Sequence, residues 1–183
     1  GNGSGGAAIW TSSDITIGAG NIFSGNANEG LWLSGVTNAT VTGSKFGTNA
    51  AGTAAISNDN DGIHVDFGST NVTIGGATVA ERNLLSGNGG QGIEFREAAT
   101  HNNFVFGNYI GTNAAGTAAI PNNDGIEIEG ASGTIIGGGA AGRGNLISGN
   151  LGDGVNIFGS TATGNRILGN LIGTDVTGML DLG

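Results

Sequence analysis

The sequence has no cysteine, one proline, five lysines and arginines together, and no long apolar run. Each shortage closes a class. Without cysteine there is no disulfide framework and no thiol chemistry. Fourteen acidic residues set against those five cations give a net charge of −9. Nucleic acid and anionic membranes need clustered cations, so neither is an expected partner. No apolar stretch approaches the roughly 18 residues of a membrane span, which argues against membrane insertion. Residues 1–6 are a Gly/Ser/Asn lead without the charged region and apolar core of a targeting signal.

Glycine, by contrast, is abundant, at 40 of 183 residues, while only 10% of the chain is charged. Such a composition can mark disorder. Here the apolar residues, 37% of the chain, recur at fixed places, which disorder does not require. The phrase Asn-Ile-Phe-Ser-Gly-Asn at Asn21 returns as Asn-Leu-Leu-Ser-Gly-Asn at Asn83 and as Asn-Leu-Ile-Ser-Gly-Asn at Asn145, with 83−21 = 62 and 145−83 = 62. The ten residues at 47–56 return letter for letter at 111–120. A fixed period of this size is the mark of a solenoid. The chain reads as one segment, 1–183, with repeat units 21–82, 83–144 and a partial 145–183. It begins and ends in mid-pattern, as a piece of a longer protein would.

Each unit holds two turns of a smaller pattern. Gly-apolar-x-apolar appears at Gly30, Gly62, Gly92, Gly125 and Gly154, with Ala8-Ile9-Trp10 as a weaker first member. Short alternating runs bounded by Gly and Asn signal strands, and nothing resembles an amphipathic helix. A second marker predicts two stacked amide columns. One is Asn21, Ser44, Asn83, Asn108, Asn145 and Asn170; the other is Asn26, Asn49, Asn88, Asn113, Asn150 and Asp175. Turns stacked about 4.8 Å apart would let each amide bond to its neighbours. Between them runs an apolar column, Phe23, Phe46, Leu85, Ile110, Ile147 and Ile172. The register of residues 71–74 against 103–106 stays open.

The phrases Asn-x-Ile-Ser-Gly-Asn, Asn-x-Ile-Gly-Thr-Asn/Asp and Ile-Gly-Gly resemble the right-handed parallel β-helix repeats of large bacterial secreted and surface proteins. The resemblance spans nearly all of residues 9–175. It implies an all-β, right-handed parallel β-helix of about six coils, two per 62-residue repeat, and an extracellular or cell-surface location. That fold hosts polysaccharide lyases, epimerases, tailspikes and passive surface proteins, so it does not select a function. The Asp-Pro-His-Asp signature of alginate epimerases and calcium-binding nonapeptide repeats do not occur.

Alternation along a strand places the residue between two inward apolar side chains on the outside. The expected outer column is Trp10, Trp32, His64, Glu94, Glu127 and Asn156, flanked by Ser34, Asp66, Arg96, Glu129 and Phe158. Ligand-binding candidates are therefore Trp10, Trp32, His64, Glu94, Glu127 and Glu129. Catalytic candidates are His64, Asp66, Glu94, Arg96 and Glu127: His64 with Arg96 for a lyase, or a carboxyl pair for a glycosidase. No cofactor is called for, although Asp66, Glu94, Glu127 and Glu129 offer oxygens to calcium, which would bridge to an acidic glycan. Solvated strands carry polar residues in any case, and Arg96 neutralises its neighbours. For Asp61, Gln91, Asp124 and Asp153, Asx turns are a cheaper account than metal sites. A second outer column, Ile22, Lys45, Leu84, Tyr109, Leu146 and Leu171, is expected under the long loops, or else on an association face.

Two readings follow. The first is a non-catalytic structural or adhesive module, because identical loops suit shape better than a unique cleft. The second is a carbohydrate-binding or carbohydrate-active module working through the first-strand face. Extracellular polysaccharide and end-to-end or lateral self-association are the expected contacts.

Overall fold

The computed structural model describes residues 1–182 as six stacked coils, each giving one strand to each of three parallel six-stranded sheets. The first sheet contains Ala7–Trp10, Leu31–Ser34, Ile63–Asp66, Ile93–Arg96, Ile126–Glu129 and Val155–Phe158. The second runs from Ser13–Ile17 to Arg166–Leu168. Short strands from Ile22–Phe23 to Leu171–Ile172 make the third. Among the described residues the single helical element is a 3-10 turn at Val79–Glu81. The chain is a parallel β-helix, as the repeat predicts.

Inward residues of the three sheets form one continuous core. Leu31, Leu33, Ile63, Val65, Ile93, Phe95, Ile126 and Ile128 come from the first sheet, Ile74 and Ile136 from the second, and Phe46, Leu85 and Ile110 from the third. Each coil alone has nothing to bury these side chains against; stacking supplies it. The open register resolves as Thr73 opposite Phe104 and Ile74 opposite Val105.

Asparagine ladders run through the bends. Asn83, Asn108, Asn145 and Asn170 are joined Nδ2 to Oδ1 at 3.0, 3.2 and 2.9 Å. Asn26, Asn58, Asn88, Asn122 and Asn150 form the other, at 2.8, 2.8, 2.8 and 3.0 Å. Asn49, Asn113 and Asp175 are therefore not ladder residues. Each instead accepts a loop amide N–H on Oδ1, from Thr53, Thr117 and Thr177. The reason lies in the excursions. Thr48 bridges Ala55 and Thr112 bridges Ala119, so the chain leaves the stack and returns to where it left. The ladder position then falls to Asn58 and Asn122. At Gly111, with φ of 84°, a Cβ would stand 2.4 Å from Asn150 Oδ1, so only glycine lets the ladder amide approach.

The matching excursions stack on one another. Ala114 N–H donates to Gly52 O, and Val176 N–H to Gly116 O, both at 2.9 Å. They cover the second outer column where they lie: Leu84, Tyr109 and Leu146 are buried, and the Arg82 guanidinium sits 3.9 Å from the Tyr109 ring centroid.

Candidate functional site

The first sheet places its outer residues by register. Trp32, His64, Glu94, Glu127 and Asn156 stand in one column. Trp10 does not head it. It pairs with Ser34, in the column that continues through Asp66, Arg96, Glu129 and Phe158, while Ala8 lies opposite Trp32. Ala7 occupies the first apolar position of that coil, a role its small side chain conceals. The two indoles still meet across the columns, with centroids 4.3 Å apart and planes tilted by 59°.

This outer face is not uniformly solvated. His64 and Glu94 are each only 7% exposed, Asp66 4% and Asp61 2%. They line a cleft of about 450 Å³ that runs from Glu29 and Trp32 to Arg96 and Glu97. Its walls are the loop at Asn60 and Asp61 and the bends at Phe67 and Glu97. Both bend residues take positive φ, 48° for Phe67 and 74° for Glu97, at the position where Gly35 and Gly130 serve in neighbouring coils. A phenylalanine in that region is strained, and the residue, 62% exposed, flanks the cleft.

His64 is held from three sides. Nδ1 lies 3.0 Å from Asp61 Oδ2 and 2.6 Å from Glu94 Oε2, and Nε2 lies 3.3 Å from Asp66 Oδ2. Asp66 is fixed in turn by the Trp32 indole N–H, which donates to its Oδ1 at 3.0 Å. Asp61 Oδ1 accepts the Gln91 backbone N–H at 2.8 Å. Asp61 thus bonds across coils and belongs to the cluster. Its carboxylate reaches His64 from the loop three residues before it, where strand alternation gives no guide.

Burial is the largest single influence on His64 and pulls its pKa down. The hydrogen bonds and charges of Asp61 and Glu94 together outweigh it and bring the group to about 10. Burial pushes the Glu94 carboxyl up, against the pull of its bond to His64, and the charge of Asp61 adds to the rise. At neutral pH His64 is therefore an imidazolium with carboxylate oxygens facing both nitrogens. Arg96 Nε bridges Glu129 Oε2 at 2.8 Å and Glu94 Oε1 at 3.4 Å, and its pKa rises chiefly through the charge of Glu94.

Of the sequence candidates, Trp32, His64, Asp66, Glu94 and Arg96 meet in the cleft. Glu127 stacks beside Glu94, as the pattern predicts, and takes a 3.5 Å bond from Asn156 Nδ2. The four carboxylates expected around calcium do not converge as one set. Glu94, Glu127 and Glu129 bring oxygens within 4.8 Å of one another, whereas Asp66 turns to Trp32 and His64. A second convergent group is Asp61, His64 and Glu94.

No protein family, curated protein or solved structure matches this chain. The functional reading therefore rests on the geometry of the cleft.

Proposed function

We propose that this β-helix is an adhesive module of an extracellular or cell-surface protein, and that it binds a neutral, hydroxyl-rich polysaccharide along the outer face of the first sheet. The observation that carries the reading is Trp32, its ring against that of Trp10, lining a cleft rich in carboxylate acceptors. Indole faces stack on the apolar faces of sugar rings, and carboxylates accept hydroxyl protons. The surplus of acceptors disfavours a polyuronate unless a cation bridges it, and calcium at Glu94, Glu127 and Glu129 would have to compete with Arg96.

Binding fits the cluster better than cleavage. A general base must be free to take a proton near neutral pH, whereas His64 holds its proton up to about pH 10 and is engaged by carboxylates at both nitrogens. Arg96, already paired, is poorly placed to neutralise a substrate carboxylate.

The test is calorimetry and affinity electrophoresis against neutral and uronate polysaccharides, with calcium and with chelator, alongside an assay for new reducing ends. The expected result is chelator-insensitive binding to a neutral glycan, weakened at least 10-fold by Trp32→Ala, with no new ends. New reducing ends would replace the adhesive reading with a catalytic one. Binding to uronates alone, lost with chelator, would replace it with the calcium bridge.

A further inference from the structure

Three buried side chains each turn one ligand atom toward a common point: Asp61 Oδ2, His64 Nδ1 and Glu94 Oε2, all within 4.8 Å of one another. The count of protons does not match the count of acceptors. Nδ1 carries at most one proton, yet two carboxylate oxygens face it at 2.6 and 3.0 Å. One of these oxygens is left without that donor, although both side chains are largely buried. Such an oxygen is costly unless a cation or a further proton sits between the groups.

The far atoms of the same side chains are each held by a different partner. Asp61 Oδ1 takes the Gln91 backbone N–H. His64 Nε2 faces Asp66, which is itself pinned by the Trp32 indole. Glu94 Oε1 faces Arg96 Nε at 3.4 Å. An imidazole with one nitrogen aimed inward and the other backed by an oriented carboxylate is the outer-sphere arrangement that sets metal-ligating histidines. It leaves three fixed ligand atoms and an open side toward the cleft.

We propose that Asp61, His64 and Glu94 form a binding site for a first-row divalent transition metal ion, with Zn²⁺ as the probe. The mixed nitrogen and oxygen set chooses among cations. Imidazole suits zinc and its neighbours, while calcium and magnesium take oxygen ligands. Around a tetrahedral ion with ligands at about 2.0–2.1 Å, the ligand atoms stand about 3.3 Å apart, so the set must open by under about 1 Å from its present contacts. The ion replaces the imidazolium proton at Nδ1, and that proton leaves to solvent. The site shares the cleft with the proposed glycan surface, but metal uptake is read without any sugar present, so the failure of one reading is distinguishable from the failure of the other.

The experiment is titration of chelator-treated protein with Zn²⁺ at pH 7.5 in buffers of different ionisation enthalpy, repeated with Ca²⁺ and Mg²⁺. The expected result is one Zn²⁺ per chain, with proton release, and affinity for Ca²⁺ at least 100-fold weaker. Asp66→Asn, which touches only the outer nitrogen, should weaken Zn²⁺ by about 10–100-fold. His64→Gln should abolish stoichiometric binding, while His101→Gln, at the other histidine, should leave it intact. X-ray absorption of the zinc-loaded wild type tests the site without relying on any variant folding, and should show one imidazole and at least two oxygen ligands. Several results overturn the proposal: no stoichiometric uptake, uptake without proton release, equal affinity for Ca²⁺, or a zinc shell without imidazole.

Discussion

The side-chain amide of Asn88 donates to Oδ1 of Asn122 at 2.8 Å, across 34 residues of chain, and the same oxygen accepts the Asn88 backbone N–H at 3.1 Å. Asn122 in turn donates to Leu85 O and to Asn150 Oδ1. It is fully buried. Asn122→Ala should therefore destabilise the protein by about 1–3 kcal/mol, because it strands donors on Asn88 that have no water to turn to. Asn113→Ala, in the exposed loop, should cost about 1 kcal/mol or less. Chemical denaturation of both variants decides it, and equal losses would mean that the ladder is not what holds this bend.

Gly111→Ala faces both a positive φ and a ladder oxygen 2.4 Å from the new methyl. A loss on the order of 2 kcal/mol or more is expected, beyond the usual small gain from stiffening the unfolded chain. Gly139→Ala, where a Cβ meets nothing within 4 Å, is the control and should be close to neutral. Comparable melting curves for the two would contradict the close-approach argument.

Phe67 tests whether strain at the cleft serves binding. Phe67→Gly relieves the left-handed backbone at 48° and removes the exposed ring. Thermal stability should stay within about 1 kcal/mol of wild type or rise, since relief of strain and the added freedom of the unfolded chain nearly cancel. Polysaccharide affinity should fall. A variant that melts several degrees lower with unchanged affinity would make Phe67 a structural residue.

With chelator present, stability should decline as pH rises from about 6.5 to 10. His64 binds its proton more tightly folded, near 10, than unfolded, near 6.5. Its contribution is therefore complete below about pH 6.5 and is lost as pH climbs through the folded value. Glu94, raised by burial, acts in the same direction. Melting temperatures across this window should slope downward for wild type and flatten for His64→Gln. A parallel slope in both would locate the titration elsewhere.

The architecture was legible because a coil repeats its constraints. Gly-apolar-x-apolar fixed the first-sheet register from Ile63 to Val155, and the stacking of Glu94 on Glu127 with it. It failed in the first coil, where an alanine holds the apolar position and displaced Trp10 by one column. The ladder was misplaced at Asn49 and Asn113 because three asparagines precede the next strand in each case, Asn49, Asn58 and Asn60 or Asn113, Asn122 and Asn123. Spacing cannot tell which one the bridged loop returns to the stack. Nor was the burial of His64 legible. It depends on Asp61 and on bends at Phe67 and Glu97, none of which lies within a strand and obeys its alternation.

The stacking of one excursion on the next, Gly52 to Ala114 and Gly116 to Val176, makes the molecule a ruler. A tandem copy of residues 83–144 would meet, at both faces, coils homologous to those that unit already contacts, and would lengthen the rod by about 10 Å, two strand spacings. The copy would carry Glu94, Arg96, Glu127 and Glu129 but neither Asp61 nor His64. Reach can thus be extended in fixed steps while the cleft remains single, so that length and grip are free to vary independently.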